Sequence, residues 1–407
     1  MYIIIVKFIE VFTRAVFVIA GTYALKLEGS GQFGLIVTLI GIFAFAFNFE
    51  RQYDIQRRVV EEAPAVFDRK IMDALYFYAF NYVLMLPLFL LAIAFWTHVS
   101  WFNLALCAVT VVCEHLCNQC YQFTLVSPRY RNLMTVVAFK NVVVMLFILW
   151  RIFLTHTPID LMFTLLTWSL ASAVCVMSFA VLWWRMAEHQ PRGEPLHFNT
   201  HIFDQHRASL NHFLIGLMAI LMLQFDRLAV GKMMSLSDTG IYFRHVLIAS
   251  FAYQFFNIAS FNRILPGVFA IAKGQSLSLA RRRVQWEHLL VLGVTTFGFL
   301  MLMLGDGLTH HIYARKYSLQ LPLMALMLVG FILRARADLN GLLFHATINE
   351  RYLLRMQILA FALYVPSMVA LTWFFGMYGA VSATICAAAS YLIQTEVIAP
   401  KLIKGAL

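Results

Sequence analysis

Long apolar segments separated by short polar ones run along the whole chain. Twelve of these segments are continuous and about as long as the roughly 20 residues that a transmembrane helix needs. They are unlike the ~10-residue alternating strands of an outer-membrane barrel. The pattern therefore predicts an all-α integral membrane protein. The first six predicted segments are 2–24, 32–49, 72–96, 101–124, 133–154 and 159–184. The other six are 208–231, 239–262, 288–308, 319–342, 352–375 and 377–400.

The composition agrees with a membrane protein. Of 407 residues, 61% are hydrophobic and 13% are charged, whereas soluble domains have roughly 45–50% apolar and about 25% charged residues. This excludes a soluble enzyme, a secreted disulfide scaffold and a disordered chain. The first segment lacks a basic n-region and a small-residue cleavage site, so we expect it to be retained as a membrane helix rather than cleaved as a signal peptide.

The basic residues predict the orientation of the chain. Lys and Arg exceed Asp and Glu by 31 to 20, and cytoplasmic loops carry an excess of Lys and Arg. The loops on one side, with the C-terminal tail, contain 18 basic residues, against five on the other side. We therefore expect both termini in the cytoplasm. Topology explains most of the positive charge, and we expect no nucleic acid as a partner.

The segments divide six and six. The polar stretch 188–207 contains Pro191, Gly193 and Pro195 and predicts a cytoplasmic linker between an N-lobe (1–187) and a C-lobe (208–407). Short turns containing Gly34 and Gly240 occupy matching places in the two halves, and a long basic loop follows each. Because six is even, this is a parallel repeat, an arrangement typical of transporters with a central site between lobes.

Two motifs that suggest a cofactor have simpler interpretations. Residues 29–34 match G-x-G-x-x-G but join two membrane helices instead of a strand and a helix, so we interpret them as a tight turn. Segment four carries four of the six cysteines, and one helix cannot wrap a zinc ion. The sequence also lacks a P-loop, H-E-x-x-H and G-x-S-x-G. We therefore expect no catalytic residue, no metal and no bound cofactor.

Charges inside the apolar segments are the functional candidates, because a charge at the centre of a membrane helix costs about 3 kcal/mol. Lys7, Glu10 and Arg14 lie three and four residues apart and so share one face of segment one. These residues either line a cavity or form ion pairs with one another inside the helix bundle. The second alternative leaves one cation without an acidic partner on this face, which favours the cavity.

Segments seven and eight carry a second group of charges. Asp226 and Arg227 lie in segment seven, and Arg244 lies at similar depth in segment eight. They form either an interfacial ion-pair cluster or part of a cavity. Together with segment one, these segments supply more cations than anions. Such a surplus suits an anionic substrate, since Arg and Lys bind phosphate or carboxylate.

Two further pairs have a structural interpretation. Glu114 in segment four and Lys140 in segment five predict an ion pair across a helical hairpin, with a proton site at Glu114 and His115 as the alternative. Arg334 and Asp338 in segment ten are four residues apart and predict a local pair.

Several sequence stretches occur in an order that resembles one transporter family. They are TYALKLEGSGQFGLIVTLIGIF, LQFDRLAVGKMMSLSDTGIYF, IYARKYSLQLPLMALMLVG, HATINERYLLRMQ and MYGAVSATICAAASYLI. With twelve segments in two halves, this order is similar to the Wzx-like polysaccharide flippases of the multidrug/oligosaccharidyl-lipid/polysaccharide (MOP) exporter superfamily. The resemblance covers nearly the whole chain.

The resemblance implies a non-enzymatic flippase of the bacterial inner membrane. It implies that an undecaprenyl-diphosphate-linked oligosaccharide, a repeat unit of O-antigen, capsule or exopolysaccharide, crosses to the outer leaflet by alternating access. The central cavity would be lined by helices one, two, seven and eight. The resemblance implies that cavity cations bind the diphosphate; those on the matching helices are Lys7, Arg14, Arg51, Arg227 and Arg244.

Further expectations concern energy and partners. A proton or sodium gradient is a candidate energy source, with Glu10, Glu114 and Asp226 as candidate coupling residues or ion-pair partners. Expected partners are the lipid-linked oligosaccharide and membrane lipids, with a polysaccharide polymerase and a chain-length regulator as candidates.

Other functions remain open. One is a cation-coupled multidrug exporter of the same superfamily, which predicts a more acidic or aromatic cavity. Another is a non-catalytic subunit of a polysaccharide synthase or export complex. A membrane-embedded glycosyltransferase or polymerase is disfavoured. Such an enzyme needs a large extramembrane loop carrying carboxylates, and the longest predicted loops here are short and mostly basic.

Overall fold

The computed structural model describes residues 2–49, 64–126, 128–155, 159–186, 201–256, 320–347 and 350–398, together with Trp286 and Gly293. Regular structure in this part of the chain is helical throughout. The helices are α1 (Tyr2–Ala24), α2 (Leu27–Asn48), α3 (Pro64–Thr97), α4 (Trp101–Val126), α5 (Met134–Phe153), α6 (Leu161–Met186), α7 (His201–Met233), α8 (Leu236–Phe256), α9 (Leu321–Thr347) and α10 (Glu350–Ile393). A 3₁₀ turn (Pro128–Leu133) precedes α5, and a π turn (Gln394–Ile398) follows α10.

Seven helical stretches in the described residues are long and apolar enough to cross a membrane. They are Leu27–Asn48, Ile71–Thr97, Trp101–Thr124, Met134–Phe153, Leu161–Met186, Ser209–Met233 and Tyr352–Val397. The chain is thus a multi-pass, all-α membrane protein, which confirms the predicted fold class. The predicted segment 288–308 lies outside the described residues, apart from Gly293, as do the ends of segments 239–262 and 377–400.

Helix α10 is two helical arms that meet at Gly376, between the predicted segments 352–375 and 377–400. Gly376 has φ +57° and ψ −135°, a conformation that L side chains rarely adopt. The chain folds back there, since a Cβ on Gly379 would lie 1.8 Å from the carbonyl oxygen of Leu371. This 44-residue helix is therefore a hairpin of two arms, each close to the length of one membrane crossing.

The start of α2 differs from the prediction. Only Leu25 and Lys26 separate α1 from α2, so residues 29–34 are helical and the interpretation of this stretch as a tight turn is wrong. The Ser30 hydroxyl donates to the carbonyl oxygen of Thr22 at 2.6 Å. This bond ties the first turn of α2 to the end of α1, so the helix begins earlier than hydropathy alone predicts.

The chain divides into two compact units, 1–217 and 218–407. The division falls within α7. Most of the predicted linker 188–207 lies outside the described residues, and α7 begins at His201. The predicted lobe boundaries stay a prediction.

Aromatic contacts hold the first half of α7 in the first unit. The Phe213 ring stacks on Phe49 with centroids 4.0 Å apart and on Phe45 at 6.0 Å. His206 Nε2 lies 2.9 Å from Asn81 Oδ1, and the Asn81 amide donates to the carbonyl oxygen of Phe47. In the second unit, one apolar core joins α7, α8, α9 and α10.

Candidate functional site

Among the described residues of the first unit, Glu114 of α4 is a buried charge with three hydrogen-bond donors. Its Oε1 accepts hydrogen bonds from Lys140 Nζ at 2.5 Å, Trp168 Nε1 at 2.7 Å and Ser172 Oγ at 2.8 Å. Glu114 is 2% exposed and Lys140 is 5% exposed. The structure thus contains the ion pair that the sequence predicts across the α4–α5 hairpin, and adds two neutral donors from α6.

Aromatic rings from two more helices pack against Trp168, one of the donors to Glu114. The Trp168 ring makes edge contacts with Phe17 of α1 at 5.6 Å and with Phe33 of α2 at 6.2 Å. Five helices therefore meet around Glu114. Burial of this kind strengthens the charge-assisted hydrogen bonds because the surroundings have a low dielectric constant.

Arg14 of α1, one of the predicted cavity residues, interacts with the Glu114–Lys140 ion pair. It acts electrostatically on both Glu114 and Lys140, and its side chain is only partly buried. Glu10 is buried, and its backbone carbonyl accepts a hydrogen bond from Asn141 Nδ2 at 3.4 Å. Arg14 is thus near enough to the buried ion pair to interact with it electrostatically, while part of its side chain stays exposed.

Two of the predicted cationic residues fall outside the described part of the molecule. Arg51 lies in the stretch 50–63, and the side chain of Lys7 is not among the described side chains although its backbone belongs to α1. Their proposed role stays a prediction.

His115 follows Glu114 in sequence but contacts different helices. Its Nδ1 lies 2.5 Å from the Tyr82 hydroxyl, and its ring meets Tyr78 at 4.7 Å and Phe47 at 5.9 Å. Glu114 contacts α5 and α6, whereas His115 contacts α2 and α3. The contacts therefore do not bring these two side chains into one shared proton site.

In the second unit, Asp226 of α7 forms its short contact with Tyr242 of α8. The Tyr242 hydroxyl donates to Asp226 Oδ2 at 2.7 Å, while Arg227 Nε lies 4.0 Å from Oδ1. Asp226 and Arg244 are 5% and 4% exposed. Sequence reasoning missed Tyr242 as the partner, although it stands in the Gly-Ile-Tyr stretch that contributes to the family resemblance.

Helix α9 carries two ion pairs of very different burial. Arg334 Nε lies 3.0 Å from Asp338 Oδ1, and the guanidinium also packs over the Tyr391 ring at 4.9 Å. The Tyr253 hydroxyl donates to Asp338 Oδ2 at 2.5 Å. By contrast, the pair between Arg336 and Glu396 has an N–O distance of 2.6 Å and an Arg336 side chain that is 52% exposed.

The cysteines are free thiols. Within the described ranges, the structure contains no group of three or more His, Cys, Asp or Glu side chains arranged to hold a metal ion. Cys117 donates through its thiol to the carbonyl oxygen of Ser172 at 3.7 Å, a packing role between α4 and α6.

Comparison with known proteins shows the fold. Neither a family model nor a curated protein matches this chain. The chain is similar to a solved structure, the inward-facing conformation of a multidrug resistance MATE family transporter of the MOP superfamily. The two sequences are 12% identical, and the structures superpose with a TM-score of 0.68 over 98% of this chain and 95% of the transporter. The chain has the MATE transporter fold. The MATE multidrug transporter DinF-BH is 16% identical with a TM-score of 0.57, over 98% of this chain and 93% of its own.

The first of these transporters belongs to the MOP superfamily, the superfamily that the sequence of this chain resembles. The Wzx-like subtype stays a prediction, because similarity at these identities shows the fold and does not extend to the substrate.

Proposed function

We propose that the protein is a non-enzymatic transporter that moves an undecaprenyl-diphosphate-linked oligosaccharide from the inner to the outer leaflet of the bacterial inner membrane. The MATE fold supports transport in general. The choice of an anionic substrate rests on the charges of α1, α7 and α8.

One observation carries this choice. Glu114 and Asp226 are buried, and each accepts a short hydrogen bond from a side chain of the same unit, Lys140 and Tyr242 respectively. Arg14 and Arg227 keep partial exposure, and among the described residues Arg14 forms no ion pair while Arg227 has only the 4.0 Å contact. Glu114 and Asp226 are therefore bonded within the protein, whereas the side chains of Arg14 and Arg227 keep exposed surface that suits an anion.

This charge distribution suits a diphosphate. A guanidinium binds phosphate oxygens in pairs, and an ammonium adds a point charge. Lys7 and Arg14, followed by Arg227 and Arg244, would offer successive contacts while the lipid tail stays in the bilayer. Alternating access would switch the exposure of the substrate. A membrane potential that is positive outside would favour outward movement by roughly 2.3 kcal/mol per charge per 100 mV.

A proton or sodium gradient is the proposed energy source beyond the membrane potential, with Glu10, Glu114 and Asp226 as the candidate residues for coupling to it.

We propose that both termini lie in the cytoplasm. We also propose that a polysaccharide polymerase and a chain-length regulator use the translocated product.

The experiment compares single arginine variants. Arg14→Ala and Arg227→Ala are assayed for polymer export in cells and for flipping of a fluorescent diphosphate-linked oligosaccharide lipid by purified protein in liposomes. Each removes a charge-assisted contact to phosphate, so we expect about tenfold or greater loss of the flipping rate. Arg336→Ala removes an exposed arginine of α9 and serves as the control. Unimpaired flipping in both variants, at normal protein levels, would overturn the proposal.

The second candidate is a cation-coupled multidrug exporter, favoured by the similarity to a multidrug resistance MATE transporter. It predicts that expression protects cells against cationic dyes and that dye efflux follows an imposed sodium or proton gradient. A non-catalytic subunit of a synthase complex predicts no flipping by the purified protein. The same liposome assay, run with dye and with lipid, separates these three functions.

A further inference from the structure

A small cavity lies inside the second unit, between α7, α9 and α10. Its volume is about 20 Å³, and its polar wall consists of Asp226, Arg334 and Thr384. By the same measure, a cavity needs roughly 10–15 Å³ to hold one water molecule. The remaining wall is apolar and includes Met222 and Phe331. The space is therefore large enough for one small polar molecule.

One carboxylate oxygen at this cavity lacks a side-chain donor. Asp226 Oδ2 accepts from Tyr242, but Oδ1 is buried and no described side chain donates a hydrogen bond to it. Arg227 Nε lies 4.0 Å away, which is beyond hydrogen-bond distance. A buried carboxylate oxygen without a donor is costly, so this atom calls for a hydrogen-bond donor inside the cavity.

The other polar groups can complete the hydrogen bonds of a water molecule. The Thr384 hydroxyl, on the same wall, donates to the carbonyl oxygen of Ala380. Arg334 donates from Nε to Asp338 and from Nη1 to the Met222 sulfur. A guanidinium has five N–H donors, so further donors remain. A water molecule needs two to four such partners.

The charge balance disfavours a metal cation at this place. Among the described residues that line the cavity, Asp226 is the only carboxylate, and the positively charged Arg334 lies on the same wall. Hard cations take about six oxygen ligands, whereas this cavity offers few. A neutral molecule that both donates and accepts fits better than an ion of either sign.

We propose that this cavity holds one ordered water molecule, which donates to Asp226 Oδ1 and accepts from the Arg334 guanidinium. The water would join the Asp226–Tyr242 contact to the Arg334–Asp338–Tyr253 contacts, and so connect the four helices α7, α8, α9 and α10. This inference does not depend on which substrate the protein carries.

Filling the cavity tests the proposal. A Cβ added at Gly330, on the cavity wall, would lie 3.5 Å from Ile385 Cγ1 and 3.8 Å from Thr384 Cγ2, which are ordinary contacts. Gly330→Ala is therefore tolerated by its neighbours but takes space that the water needs. Gly21→Ala is the matched control, because its Cβ would also meet neighbours only at 3.8 Å or beyond.

We expect Gly330→Ala to lower the melting temperature of the purified protein by about 2 °C or more, because Asp226 Oδ1 loses its donor. Gly21→Ala should leave it unchanged or raise it, since alanine favours a helix. If Gly330→Ala raises the melting temperature as much as the control does, the cavity is dry and the proposal is wrong.

A second measurement identifies the occupant. We expect a density peak within hydrogen-bond distance of Asp226 Oδ1 in a high-resolution experimental structure of the whole protein. Replacing choline chloride by sodium chloride should shift the melting temperature by less than about 1 °C. A sodium-specific stabilisation that disappears in Asp226→Asn would instead identify a cation site and overturn the proposal, as would an empty cavity in the density.

Discussion

Lys140 Nζ lies 2.5 Å from Glu114 Oε1, and both side chains are almost entirely buried in the first unit. Two charges removed from water are stable only when they are paired and hydrogen-bonded. Here the carboxylate oxygen also receives the Trp168 indole N–H and the Ser172 hydroxyl. The pair therefore connects α4, α5 and α6 through one atom.

Removing Lys140 alone should destabilise the protein, because Glu114 stays buried and charged. Lys140→Met leaves Glu114 buried without its counter-charge, and we expect a loss of about 3–5 kcal/mol in the free energy of unfolding. The double variant Glu114→Gln/Lys140→Met keeps an amide oxygen for Trp168 and Ser172 without any charge, so it should recover most of the loss. Denaturant unfolding of purified protein measures both. A Lys140→Met variant as stable as the wild type would contradict this prediction.

The two ion pairs of α9 should differ sharply in energy. Arg334→Met leaves Asp338, whose side chain is 16% exposed, with Tyr253 as its hydrogen-bond donor. Because the arginine is buried and its bond is charge-assisted, we expect a cost of about 1.5–3 kcal/mol. Arg336→Met breaks a largely exposed pair with Glu396 and should cost at most about 1 kcal/mol. Thermal unfolding of the two variants side by side measures the difference, and equal losses would show that burial does not set these energies.

The hydroxyl of Tyr242 should contribute to stability through Asp226. Tyr242→Phe removes the 2.7 Å hydrogen bond to Oδ2 with little change in shape, so we expect a loss of about 1.5–3 kcal/mol, typical of a bond to a charged group. Tyr378→Phe, at a 40% exposed tyrosine of α10, is the control and should be close to neutral. The prediction fails if both variants unfold at the same denaturant concentration.

The hairpin within α10 should be intolerant of side chains at two glycines. Gly376→Ala places a Cβ at φ +57°, which we expect to cost about 1–2 kcal/mol. Gly379→Ala should be worse, because its Cβ would lie 1.8 Å from the Leu371 carbonyl oxygen and the backbone must move. Yield of folded protein and melting temperature measure the order. A Gly379→Ala variant that is milder than Gly376→Ala would contradict the hairpin geometry.

Much of the fold follows from hydropathy. The bilayer requires about 20 apolar residues for each crossing, and the predicted segments 101–124 and 133–154 match α4 and α5 within one or two residues. Two ion pairs can also be predicted from the sequence. Arg334 and Asp338 lie one helical turn apart, and Glu114 and Lys140 lie on consecutive helices. Spacing along one helix, or depth in two neighbouring helices, is enough for such predictions.

The hydrogen-bond partners that other helices supply to the buried carboxylates could be identified only in the tertiary structure. Trp168, Ser172 and Tyr242 are polar or aromatic residues in largely apolar helices, and nothing in their spacing shows which of them faces a buried carboxylate. A helix that is apolar on all sides carries no hydropathy signal for its rotation. The sequence by itself therefore determined the helices and the positive surplus of charge. The rotation and packing of the helices decided which charges are bonded internally and which, such as Arg14, remain accessible.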